Sequence, residues 1–257
     1  MRETLERSGS WHPSRREMLG ALGVGLLAPR IARAATFSLL SSVVTYFDNT
    51  SAAIDTTGAN LIVTVQGGLN YGDLPWDSAG NSYTDALSVS EATAPNYLRF
   101  CYCYGPTTSA THTFRQNNSS IYCGLVVAAF GGAQTGPLDA STNSTTSASA
   151  VTTLSPGSIT PTMSNEVLIS GLCGRYANSS SPTVAGGMGL VGTVWGHGGY
   201  SWGVGMAYVI QTAAGAVNPA WSLSSSAAVA GSIAFKSTSS SGGAAPPVRR
   251  RVITGGE

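Results

Sequence analysis

The stretch Ile121–Phe130, IYCGLVVAAF, decides the fold. In a β-strand successive side chains point to opposite faces. Ile121, Cys123, Leu125, Val127 and Ala129 then share one face, and Tyr122, Val126, Ala128 and Phe130 share the other. Both sets are apolar, so the strand is expected to be central and covered on both sides. A loop, another element or a partner subunit would provide the second cover, which makes a homo-oligomer one expectation.

Outward from this strand the same signature repeats. Runs rich in Val, Ile, Tyr and Phe, bounded by Gly, Pro, Asn and Ser, occupy 37–47, 60–66, 82–89, 97–104, 110–115, 166–174, 188–195, 200–210 and 228–235. No segment after residue 35 carries a sustained helical period with caps. Asp77–Ser82, DSAGNS, reads as a hairpin connection, with Gly80 at positive φ and Asp77 bonding forward to the backbone. Ten or so short strands in about two hundred residues predict an all-β, jelly-roll-like, two-sheet β-sandwich over 35–236.

The segment before it is of another kind. A basic start is followed by an apolar run, Met18–Ala28, ended by Pro29. The run is too short to span a bilayer, which needs about 20 apolar residues. It has the length of a signal-peptide core, and Ala32 and Ala34 place cleavage after residue 34. Ser14-Arg15-Arg16-Glu17-Met18-Leu19 resembles the twin-arginine export motif. That implies passage of a folded chain through the twin-arginine translocase, to the periplasm, the exterior or the cell surface.

Six of the thirteen basic residues lie in this leader and three more form Arg249–Arg251. Between 35 and 236 only Arg99, Arg115, Arg175 and Lys236 face eight carboxylates, a net charge of −4. Nucleic acid is therefore not expected as a partner of the folded part, because binding phosphates needs a basic surface. Residues 237–257 read as a flexible Ser/Gly/Pro linker with a basic tail that would suit an acidic partner.

Chemistry-bearing residues are few. Cys101, Cys103, Cys123 and Cys173 lack zinc-knuckle spacing. A Cys103–Cys123 disulfide between neighbouring strands competes with four buried thiols, and a chain exported folded should not depend on a bridge. Asp73, Asp77, Asn81 and Asp85 crowd one stretch and offer oxygen ligands for calcium, against simple turn chemistry. His112 alternates with threonines, as a solvent-facing strand residue would, and His197 lies in a glycine-rich turn. With no nucleophile elbow, and with Glu91 and Glu166 isolated, no catalytic constellation emerges and the chain is expected to be non-enzymatic.

The most suggestive stretch is 194–210, VWGHGGYSWGVGMAYVI, where Trp195, His197, Tyr200 and Trp202 crowd around glycines. Exposed rings beside small polar residues suit stacking on a sugar, with Trp76 and Tyr71 as additions. The competing reading packs these aromatics inward.

AIDTTGANLIVTV (53–65), DSAGNSYTDAL (77–87), GPLDAS (136–141) and YVIQTAAGAVNPAWSLSSSAAVAGSIAFK (208–236) resemble segments of a β-sandwich domain of secreted bacterial proteins and some phage virion proteins. The resemblance implies the fold and an extracellular setting, and carries over no catalytic residue. The function expected is an exported, non-enzymatic surface or extracellular binding module, with carbohydrate as the preferred ligand. The alternative is a structural or assembly protein that uses the sandwich as a scaffold.

Overall fold

A computed structural model describes residues 36–46, 49–69, 73–93, 96–116, 123–175, 180–195 and 202–238. The export leader with Arg15, Arg16, Ala32 and Ala34, the tail with Arg249–Arg251, and Tyr71, His197 and Tyr200 lie outside them. Thirteen strands follow in chain order: β1 (Ser38–Tyr46), β2 (Leu61–Gly68), β3 (Trp76–Asp77), β4 (Thr84–Glu91), β5 (Asn96–Tyr104), β6 (Phe114–Arg115), β7 (Cys123–Gly131), β8 (Ala133–Leu154), β9 (Val167–Arg175), β10 (Thr183–Ala185), β11 (Gly189–Trp195), β12 (Trp202–Ile210) and β13 (Ala220–Ser237). The described residues contain no helix.

The fold is an all-β sandwich. Sheet A runs β1-β7-β2-β5-β4, and sheet B runs β10-β13-β9-β12-β11 with β8 also on β13. The chain completes sheet A before it begins sheet B. Every pairing is antiparallel.

Alternation sorts the apolar side chains into three cores. Leu61, Val63, Val65, Phe100, Val126, Ala128 and Phe130 of sheet A meet Val167, Ile169, Val204, Met206, Val229, Ile233 and Phe235 of sheet B. Each such large side chain, fully buried, contributes about 1.5–3 kcal/mol. The opposite face of sheet A carries Ile62, Cys101, Cys103, Leu125, Val127 and Ala129 under Ile54, Ala59, Tyr83 and Phe114. The outer face of sheet B carries Leu168, Leu172, Ala207, Ala228, Ala230 and Ala234 under Ile159, Met188 and Val217.

The second apolar face of β7 is thus covered by the chain's own excursions, and its described residues need no partner subunit for burial. The turn after Asp77 behaves as expected at Gly80, whose φ is 73°. It is not a hairpin, however: β3 pairs with β6 and β4 with β5, so the turn carries the chain from the outer ribbon into sheet A.

Candidate functional site

The tightest polar site lies in the cover over sheet A. Asp77 Oδ1 accepts the Ala79 and Asn81 amides at 3.0 and 3.1 Å. Its Oδ2 accepts Asn81 Nδ2 at 2.9 Å and the Tyr83 hydroxyl at 2.7 Å. His112 Nε2 stands 3.3 Å from Oδ2, off line for a full hydrogen bond, while Nδ1 lies 2.9 Å from Thr56 Oγ1. The imidazole stacks on Phe114 with centroids 4.4 Å apart.

Burial raises the Asp77 pKa, but the hydrogen bonds from Asn81 and Tyr83, with the His112 ring beside them, outweigh it and hold the carboxyl below its ordinary value. Burial, reinforced by the charge on Asp77, pushes the Tyr83 phenol up.

A hydroxyl, an imidazole and a carboxylate in series are the parts of a nucleophilic triad. Here all three side chains are fully buried, and Thr56 is engaged with the backbone of Ser109. The arrangement ties three excursions together over sheet A. It also corrects the solvent-facing expectation for His112, whose flanking threonines point outward while the ring points in.

The calcium quartet does not assemble. Asp77 spends its oxygens on the turn and on Tyr83, and Asp85 pairs with Arg99 at 3.1 Å on sheet A. Among the described residues no group of three or more His, Cys, Asp or Glu side chains gathers as a metal would require.

The cysteines are thiols, all buried. Cys103 lies opposite Ile62 and Cys123 opposite Gly68, six positions along β2. At about 3.3 Å per residue this separates them far beyond the ~7 Å limit between bridged Cα atoms, so a Cys103–Cys123 bond is ruled out. Burial pushes the thiols of Cys101 and Cys173 up to about 12, which keeps them unreactive.

The aromatic stretch divides rather than converges. Trp195 packs with the outer core of sheet B, and its ring lies so close to Gly203 and Gly174 that neither position has room for a Cβ. Trp202 packs into the core between the sheets, with Arg175 over its ring at 5.6 Å. The two indoles therefore occupy opposite faces of sheet B and cannot form one platform. Among the described tryptophans Trp76 is the exposed one, 40% accessible, with the Arg115 guanidinium 4.8 Å from its ring centroid.

A second polar cluster escaped sequence reasoning. Glu166, fully buried at the entry to β9, accepts the Met163 amide at 2.8 Å and the Thr162 hydroxyl at 3.3 Å through Oε1. Its carboxyl lies against that of Asp139, whose Oδ2 accepts the Thr162 amide at 2.8 Å. Lys236 Nζ stands 3.7 Å from Asp139 Oδ1. Burial first, then the neighbouring Asp139, pushes Glu166 up to about 7. These residues come from three strands' worth of separate sequence, so no spacing could have joined them. The one available hint was a carboxylate leading directly into a buried apolar run at 166–173.

The long β8 also went unseen. It is 22 residues long, pairs only with β13 among the described strands, and carries no charged residue after Asp139. No helix among the described residues is long and apolar enough to cross a membrane. The chain matches no family model, no curated protein and no solved structure.

Proposed function

We propose that this protein is an exported, non-enzymatic surface or extracellular component that works as an interaction scaffold. The observation that carries this reading is β8. Both outer sheet faces are covered by the chain itself, whereas β8 leaves a long, uncharged, Ser/Thr-rich edge exposed over most of Thr142–Thr153. Edges of this kind present unpaired backbone donors and acceptors, and most proteins blunt them with charge. An edge left open is suited to docking. The sealed Thr56–His112–Asp77 series supports a role other than catalysis.

The test is fractionation of the full chain in its source. The protein should sediment with the envelope or with assembled particles. The double substitution Ser144→Lys and Thr146→Lys, which places charge along the edge, should release it into the soluble fraction. A wild-type chain that is soluble throughout, or a variant retained as well as wild type, would overturn the reading.

Carbohydrate binding keeps one supporting observation, the exposed Trp76 ring with the Arg115 guanidinium over it. Polysaccharide pull-downs should then lose signal with Trp76→Ala and keep it with Trp202→Phe. Equal retention of both variants removes the sugar reading.

A further inference from the structure

We infer that Lys236 and Asp139 become joined by a covalent side-chain amide, formed by the folded protein itself, with Glu166 as the proton-transferring group. This goes beyond the scaffold reading and holds whether or not β8 is a docking edge.

The parts are an amine, a carboxyl it can attack, and a buried acid in contact with that carboxyl. Lys236 lies near the end of β13 and Asp139 near the start of β8, one residue each from the register pair Phe235–Leu138. The side-chain amine is 3.7 Å from Asp139 Oδ1, and the lysine side chain is only 26% accessible. Asp139 is almost fully buried and Glu166 completely so. The surroundings are therefore nearly dry, and the reacting groups are held by two paired strands. Such placement makes the amine and the carboxyl intramolecular reactants, and the entropy already spent in folding works against the unfavourable loss of water in amide formation.

The hydrogen bonds fit the chemistry. The Thr162 amide donates to Asp139 Oδ2 at 2.8 Å, where negative charge would build up as the amine adds. Glu166 Oε1 is fixed by Met163 and Thr162, while Oε2 takes no N–H or O–H donor from the described residues. Oε2 is thus left to share a proton with the Asp139 carboxyl. Burial and Asp139 together keep that proton on Glu166 up to about neutral pH.

The step balances without a co-reactant. The Lys236 ammonium gives up one proton to the carboxyl pair, and the neutral amine adds to Cγ of Asp139. The Nζ–Cγ bond forms and one Cγ–O bond breaks, with Glu166 protonating the departing oxygen and then recovering a proton from Nζ. An ammonium and a carboxylate become an amide and one water, and Glu166 ends as it began. The product locks β13 to β8 and closes a loop of about 100 residues that contains β9 to β12. A chain with buried, unbridged thiols would gain from this what other exported proteins obtain from disulfides.

The experiment is mass spectrometry on the denatured full chain. The expected mass is one water, about 18 Da, below that of the sequence from its observed N-terminus. A tryptic digest should contain 116–175 attached to 176–249, with Lys236 uncut. Lys236→Arg keeps the charge pair and Glu166→Gln keeps the shape; both should melt cooperatively. Lys236→Arg should show the full mass. Glu166→Gln should slow linkage by about 10²-fold or more, the low end expected from losing a general acid–base group. A wild-type chain at full mass with the two peptides separate would overturn the proposal. So would a deficit that persists in Lys236→Arg, or linkage in Glu166→Gln as complete as in wild type.

Discussion

The two outer covers of this sandwich solve one problem with opposite charge states. Over sheet A, Asp77 receives two backbone amides, the Asn81 side chain and the Tyr83 hydroxyl, and stays ionised inside the protein. Over sheet B, Glu166 receives one amide and one hydroxyl and faces a second carboxyl, so it keeps its proton to about pH 7. Both residues are fully buried. Burial alone therefore does not set the charge; the number of donors does.

Removing the Asp77 carboxylate should break this comparison most severely. Asp77→Ala strips acceptors from Ala79, Asn81 and Tyr83 together and leaves His112 buried with no carboxylate beside it. Losing one member of a buried charged network costs about 3–5 kcal/mol. Urea unfolding should show that loss, with little change in slope. A loss under about 1 kcal/mol would mean that the cover is held by Phe114 and Ile54 alone.

The cover over sheet B should instead reveal itself through pH. The folded pKa of Glu166, about 7, lies above the ordinary 4.5, so the native state binds the extra proton between those values. Stability from this group is complete below about pH 4.5 and is lost as pH rises through about 7, a change on the order of 3 kcal/mol. Asp77 has the opposite sign: its depressed pKa gives stability that is present above the unfolded value near 3.8 and lost on acidification. The unfolding free energy of the Lys236→Arg chain, which retains both carboxyls, should fall from pH 5 to pH 8 in denaturant titrations, and adding Glu166→Gln should flatten the slope. A flat profile before that substitution would refute the shared-proton account.

What could be read from the sequence follows the same division between sheets and covers. β2, β5, β7 and β9 announce themselves because their cores are continuous, and Val126, Ala128 and Phe130 had only one fold class to occupy. β8 gave no such signal. Its Ser/Thr run is held to β13 by backbone pairing at an exposed edge, where side-chain polarity carries no penalty. The covers were invisible because each uses single apolar residues, such as Ile54, Ile159 and Val217, which show no period. His112 misled because its flanking threonines suggested exposure. Glu166 looked isolated because Asp139 is 27 positions away in the sequence, and Lys236, which stands against Asp139, is 70.

Trp221 offers a milder probe of the sheet B cover. Fully buried, it donates Nε1 to Ser170 Oγ at 3.0 Å, and Ser170 donates onward to the Gly231 carbonyl at 3.1 Å. Trp221→Phe removes the donor and part of the ring volume, which together should cost about 2 kcal/mol. Melting should remain cooperative, with a midpoint lower by several degrees. An unchanged midpoint would show that the segments with Ile159 and Val217 hold the cover without the indole.

The smallest effect is expected at Asp85, the exposed counterpart of Asp77. It meets Arg99 Nε at 3.1 Å and accepts Ser88 Oγ at 2.8 Å, but its side chain is 40% accessible. Water and salt screen such a pair, so Asp85→Ala should change stability by no more than about 1 kcal/mol, or 2–4 °C in a domain of this size. The same measurement settles the calcium question. With Asp77 saturated by protein donors and Asp85 committed to Arg99, millimolar calcium should leave the melting temperature of wild type and variant alike unchanged. A calcium-dependent rise in wild type that vanishes in Asp85→Ala would mean that the turn opens to accept the ion. Asp77 would then have to trade hydrogen bonds for a metal, and the contrast between the two covers would no longer rest on donor count alone.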